Sequence, residues 1–196
     1  TNALSAIGKP MTNDTDGPTG FTNFMDTSGT YWKTCYYCAG VVMSSTWNTE
    51  LIEDLGEMVG DEGLVGANGK GNNLPYSGWY APGVNIHRSP FGGRNFEYFS
   101  EDGILTGKIA AAEIKGCRSR GVYCYVKHFA LNEQETHRSS NGSGTWVTEQ
   151  AMREISLKPF ELAVKEGGTM AAMSSFNRIG AKWTGGDYRL LTEILR

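Results

Sequence analysis

The feature that most constrains this chain is a helix-patterned segment that runs directly into an apolar strand. Residues 100–121 (SEDGILTGKIAAAEIKGCRSRG) place apolar side chains at helical spacing, with Ser100 as N-cap, basic residues in the last turn and a closing glycine. Residues 122–126 (VYCYV) follow at once and read as a short buried strand. The alternation recurs along the chain. Residues 48–66 predict a helix with Leu51, Leu55, Met58 and Val59 on its apolar face, and 78–86 a strand. Residues 145–168 predict a helix that Pro159 restarts part-way, 170–176 a strand, and 187–196 the beginning of another helix. Strands alternating with helices build βαβ units and a parallel sheet. Strands apolar on both faces suit a sheet that is covered on both sides.

A doubly wound sheet and a (β/α)8 barrel both satisfy that order, and the polar residues choose between them. They gather just past the strand ends: residues 85–94 after one, Lys127 and His128 after the next, residues 174–177 after the third. Barrels build their sites from several strand ends on one face, whereas an open sheet concentrates its site at a single switch point. Neither a GxGxxG after a strand nor a GxxxxGK[ST] occurs, which disfavours phosphate-cradling folds. The expected fold is therefore α/β, a TIM-type (β/α)8 barrel that is incomplete in this chain. Its 196 residues fall short of the ~250 that such a barrel takes. Unclosed, it would leave a sheet edge and apolar helix faces open, so the remainder of its own chain or a complementing segment is an expected partner.

Composition narrows the function. A net charge of −3 argues against a nucleic-acid partner or an anionic membrane surface. No run approaches the ~20 apolar residues of a membrane span. The opening TNALSAIGKPMTNDTDGP has neither the basic start nor the apolar core of a signal peptide. Cys35 and Cys38 form a CxxC, which admits a redox pair or half a zinc site. Its aromatic and apolar surroundings favour ordinary buried thiols. Four cysteines without a paired spacing fit a reducing, cytoplasmic compartment.

The strand ends offer a specific mixture. Arg94, Lys127 and His128 are donors, and Asp16, on a turn in TDGPTG, is an acceptor. Vicinal sugar hydroxyls want carboxylate acceptors beside fixed cationic donors, because charge-assisted hydrogen bonds are the short, strong ones. Trp32, Trp47 and Trp79 are available as apolar platforms or as core. A solvated Lys127 and a satisfied edge His128 are the plainer alternative.

These residues sit in motifs that carry a family resemblance. APGVNIHRSPFGGRNFEYFSED, VKHFALNEQETHR, REISLKPFELAVKEGG and MSSFNRIG, in that order, resemble the N-terminal barrel of glycoside hydrolase family 3, of the β-glucosidase and β-xylosidase type. The resemblance runs from about Ile7 to Arg196. It implies one partial barrel domain over 1–196, without the nucleophile strand or the second domain. It implies a −1 sugar subsite lined by Asp16, Arg94, Lys127 and His128, with Met173 and Phe176 from the MSSF stretch. It implies an exo-acting, retaining hydrolase of terminal β-D-glucosyl residues, needing no cofactor or metal, with a small-molecule or oligosaccharide β-glycoside as substrate.

Three departures from the family pattern matter. After Lys127 and His128 the chain lacks the glycine- and histidine-containing extension of members that cut N-acetylglucosaminyl bonds, which favours a neutral glucose- or xylose-like sugar. Phe176 stands where the family often has tyrosine, and no arginine follows the DGP turn closely. A retaining mechanism needs two carboxyl groups about 5–5.5 Å apart. The resemblance puts the nucleophilic Asp beyond Arg196 and the acid/base in another domain. Asp102, Glu97, Glu133 and Glu135 are the nearby carboxylates, with loop bracing or helix capping as their expected roles. The competing readings are a carbohydrate-binding or scaffold segment without catalytic carboxylates, and a thiol or metal protein using Cys35 and Cys38.

Overall fold

The structure, a computed structural model, describes residues 2–21, 35–65, 76–138 and 142–196. Its principal sheet has four parallel strands: β1 Asp14–Asp16, β2 Gly78–Tyr80, β3 Tyr123–Phe129 and β5 Ala171–Ser174, in the order β1-β2-β3-β5. Spatial order follows chain order, with no reversal. A doubly wound sheet reverses at a switch point, so this is an arc of a singly wound barrel. It does not close among the described residues. A small second sheet joins β4 Gly144–Thr145, β6 Arg178–Ile179 and β7 Lys182–Trp183.

The helices pack on one side of the arc. They are α1 Gly40–Ser45, α2 Thr49–Val65, α3 Gly103–Ser119, α4 Glu149–Ala151 and α5 Lys158–Lys165. A π-turn, Met152–Ser156, joins α4 to α5, and Pro159 opens α5 as expected. The helix expected over 187–196 is a π-type turn, Arg189–Ile194. Helix α3 is central, against α2 on one side and α5 on the other. It is capped by Asp102, whose Oδ1 accepts from Leu105 N at 2.7 Å, rather than by Ser100. Ser100 supports that cap by accepting from Asp102 N.

Helices α2 and α3 approach through glycines: a Cβ at Gly56 or Gly116 would overlap the carbonyl oxygen of Glu113 or Glu53 across the contact. On α2, Ile52, Leu55 and Val59 are buried, while Leu51 and Met58, assigned above to the apolar face, lie outside. No helix among the described residues is long and apolar enough to cross a membrane.

The two faces of the arc differ. Val122, Cys124 and Val126, with Trp79, are fully buried under the helices. Asp14, Tyr80, Tyr123 and Tyr125 form a half-buried polar-aromatic layer on the other face. There Tyr123 and Tyr125 donate to Asp14 at 2.6 and 3.2 Å. The strands are therefore not apolar on both faces: the inner one is built of tyrosines. Cys35 and Cys38 are not the buried thiols expected above: both are exposed, while Cys117 and Cys124 are buried. Hydrogen bonding to Glu62, then its charge, pushes the Cys35 thiol up, away from the reactive thiolate.

Candidate functional site

The C-terminal edge of the arc brings four segments together. Asp16 is the last residue of β1, so it belongs to a strand and not only to the turn expected above. The turn after it is anchored from beneath, where Trp79 Nε1 donates to Gly17 O at 2.7 Å. Trp79 is thus core; Trp47 is exposed on the surface, and Trp32 lies outside the described residues. The chain beyond β2 crosses β3 at Lys127, whose N–H donates to Pro82 O at 3.0 Å and whose carbonyl accepts from Val84 N at 2.7 Å. The peptides Ala81–Pro82, Lys127–His128 and Phe129–Ala130 are cis.

Lys127 Nζ lies 2.7 Å from Asp16 Oδ1 and 2.9 Å from Glu97 Oε1. The other oxygen of Glu97 takes Arg94 Nε at 2.5 Å. Asp16, Lys127, Glu97 and Arg94 therefore alternate in sign along one chain of contacts, and their charges cancel. Lys127 and Glu97 are each 1 % exposed, whereas Asp16 keeps 37 % of its side chain open. Burial works against the Arg94 charge, but Glu97, Tyr98 and Glu135 outweigh it and hold the guanidinium pKa up.

His128 is buried and fixed on one ring nitrogen. Asn85 clasps its backbone on both sides: Oδ1 accepts from His128 N at 2.8 Å, and Nδ2 donates to His128 O at 3.0 Å. That pair orients the amide, so Asn85 Oδ1, 3.3 Å from His128 Nδ1, is an acceptor there too. The Tyr98 hydroxyl, 3.2 Å from Nδ1, gives its own proton to Asn132 O. Nδ1 therefore carries the ring proton and Nε2 is the ring's acceptor. Burial, then Arg94, Lys127 and Arg138, push the His128 pKa down to about 2, so the ring is neutral at physiological pH.

Met173 is on β5, on the face shared with Ala171 and Tyr125, and is half-buried. Phe176 lies past the end of β5, 55 % exposed, with the Arg138 guanidinium 5.0 Å from its ring centre. The structure thus places all six expected residues on one edge. Arg138, Tyr98, Asn85 and Asn132 join them and were not singled out from the sequence. Arg138 and Asn132 each also reach Glu135 three residues away, but the links that bring them to the site, to Phe176 and Tyr98, run between segments far apart in the chain.

Three of the four nearby carboxylates are occupied structurally, and the fourth, Glu133, has one oxygen near an arginine. Glu97 bridges two cations, Asp102 caps α3, Glu135 pairs with Arg138 at 2.8 Å, and Glu133 lies 3.6 Å from Arg88. A neutral cluster of alternating acceptors and donors suits an uncharged, hydroxyl-rich ligand.

Residues 7–196 match the glycosyl hydrolase family 3 N-terminal domain. The chain belongs to that family. A β-glucosidase of Rhizobium radiobacter is 41 % identical over 196 residues, covering all of this chain and 23 % of that protein. β-Glucosidase A of Butyrivibrio fibrisolvens is 37 % identical, over 98 % of this chain and 22 % of its own length. The structure of β-glucosidase 3B from Thermotoga neapolitana in complex with glucose superposes with a TM-score of 0.87 at 36 % identity, over 100 % of this chain and 26 % of that one. The Kluyveromyces marxianus β-glucosidase gives a TM-score of 0.89 at 32 % identity, with this chain covering 23 % of it. The family 3 chain described here thus spans about a quarter of the length of these relatives.

Proposed function

We propose that the protein carrying this domain is an exo-acting, retaining β-glucosidase. In this reading Asp16, Arg94, Lys127, His128, Met173 and Phe176 line the −1 subsite. The observation that carries the reading is the charge-cancelling sequence Asp16–Lys127–Glu97–Arg94 at the strand ends. Asp16, open to solvent, accepts hydroxyl protons, and Lys127 and Arg94 donate to hydroxyl oxygens. Each contact is already oriented, so little ordering remains to be done when the ring binds. Neutral His128 offers Nε2 as a further acceptor. The nucleophile and acid/base of a retaining mechanism, about 5–5.5 Å apart, come in this reading from the rest of the longer protein. Similarity to proteins named β-glucosidases, one of them solved with glucose, supports the substrate class.

The test is hydrolysis of an aryl β-glucoside by the full-length protein. Arg94→Ala and Lys127→Ala each remove a charge-assisted contact of about 1.5–3 kcal/mol. We expect kcat/KM to fall roughly ten- to a hundredfold or more in each. Unchanged hydrolysis in both variants would refute the assignment, and sugar binding without hydrolysis in the parent protein would make this a carbohydrate-binding scaffold.

A further inference from the structure

A separate cavity of about 190 Å3 opens between the segments that follow β2 and β3 and the stretch from β4 into α4. None of the six subsite residues lines it. Its walls include Ile86, Leu131 and Ile155, and its polar groups include Glu133, Arg88 and Ser156. Glu133 is the unusual member. Its side chain is 2 % exposed, Oε2 lies 3.6 Å from Arg88 Nη1, and Oε1 is buried without a hydrogen-bond partner among the described residues. An acceptor buried in that way is costly unless something donates to it. Trp146, 82 % exposed, also lines the cavity, its six-membered ring set against Gly180 in the β6–β7 turn.

We propose that this cavity is a second carbohydrate site that takes one neutral pyranose ring, with Trp146 as its platform, Glu133 as hydroxyl acceptor and Arg88 as donor. The chemistry of the lining selects that class. Glu133 and Arg88 oppose each other in charge, so an anion meets the carboxylate and a cation meets the guanidinium. A neutral ligand that both donates and accepts satisfies each. An aromatic face and aliphatic walls suit the C–H face of a sugar ring. The volume is below the roughly 300–1,000 Å3 of pockets for larger ligands, and equals about six waters at ~30 Å3 each. That is room for one ring and not for an extended oligosaccharide. Burial raises the Glu133 pKa, against Arg88, Ser156 and the Ile86 backbone, which favour its charged form. The proposal rests on residues other than those of the −1 subsite.

The test uses the full-length protein and methyl β-D-glucopyranoside as probe, by crystal soaking and calorimetric titration. We expect a ring against Trp146 in the soaked crystals, and a weak binding phase that Trp146→Ala reduces roughly tenfold. Trp146→Phe restores most of that phase, and Asp16→Asn leaves it intact. Trp146 is exposed, so its alanine variant is expected to fold, and an unchanged melting temperature verifies that. Glu133→Gln, which keeps an acceptor oxygen but removes the charge, weakens the same phase. Water alone in the cavity, or a titration that Trp146→Ala does not alter, overturns the proposal. Loss of a binding phase on Asp16→Asn reports on the −1 subsite alone, so the two assignments stand or fall separately.

Discussion

Lys127 and Glu97 form an ion pair from which solvent is almost wholly excluded: their charged atoms are 2.9 Å apart, and each side chain is 1 % exposed. Such a pair is only modestly stabilising when complete, because desolvation offsets much of the attraction. Breaking it is another matter, since buried Lys127 then keeps only Asp16, 2.7 Å away and 37 % exposed, as a partner. Glu97→Ala also takes from Arg94 its nearer partner, leaving Glu135 at 4.0 Å, so we expect a loss of up to about 3–5 kcal/mol in urea unfolding. A loss under about 1 kcal/mol would show that solvent or another group compensates Lys127.

Asn85 is expected to matter for stability out of proportion to its size. Its two bonds satisfy both the backbone N–H and the backbone C=O of His128, and both residues are buried. Leaving a buried polar group unpaired costs about 1–3 kcal/mol. Asn85→Ala should therefore lower unfolding free energy by about 2–4 kcal/mol, and Asn85→Leu by at least as much. A melting temperature unaffected by either substitution would contradict the clasp.

Two buried groups give stability a pH dependence of opposite sign. The His128 pKa is depressed to about 2, so the unfolded chain takes up its proton first as pH falls. Stability from this group is present above about pH 6.5 and is lost progressively below it. Glu113, raised to about 8 by burial, works the other way. Its contribution is full below about pH 4.3 and is lost as pH rises toward 8. Each slope is at most about 1.4 kcal/mol per pH unit. The two cancel between roughly pH 4.3 and 6.5, so unfolding free energy measured across pH should show a plateau there and fall on both sides. Glu113→Gln should lessen the alkaline decline, to which Glu133, also raised by burial, adds in the same direction, and leave the acid limb. A decline undiminished by the substitution would point to another group.

Gly116→Ala sets two effects against each other. Helix propensity favours alanine by about 1 kcal/mol. The added Cβ, however, overlaps the Glu53 carbonyl oxygen on α2, and backbone cannot step aside as a side chain can. Overpacking of this kind costs about 1–3 kcal/mol or more, so net destabilisation is expected in thermal unfolding. Gly121→Ala meets no neighbour, but its φ of +90° makes it unfavourable for a backbone reason instead. A stabilised Gly116→Ala would mean that α2 and α3 separate easily.

Much of the frame is local and therefore legible. Helix α3 and strand β3 announce themselves through periodicity, a cap and a β-branched, aromatic run. The abrupt end of that run on Lys127 and His128 marks the site edge. Strand β1 does not announce itself. Asp14–Asp16 (DTD) has only Thr15 to favour a strand against two aspartates that disfavour one, and is extended because its backbone pairs with Gly78–Tyr80 and its carboxylates find Tyr123 and Lys127 across the arc. Helix α1, six residues with two adjacent valines, is likewise held from outside, by Gly40 N to Phe96 O and Ser44 Oγ to Phe99 O. Periodicity cannot report partners that lie tens of residues away.

By itself the sequence determined the alternation of strand and helix, the strand ends on which donors and acceptors collect, and the family motifs that contain them. Tertiary structure decided the order of the strands, which makes the sheet an arc rather than a doubly wound layer. It also decided that Glu97 is the bridge between Lys127 and Arg94, which proton His128 carries, and that the exposed cysteines are the pair Cys35 and Cys38. The division has a physical cause. Propensity and pattern act over a few residues, whereas charge pairing, tautomer choice and burial depend on what is within about 4 Å in space, and here those neighbours are up to 111 residues apart in the chain.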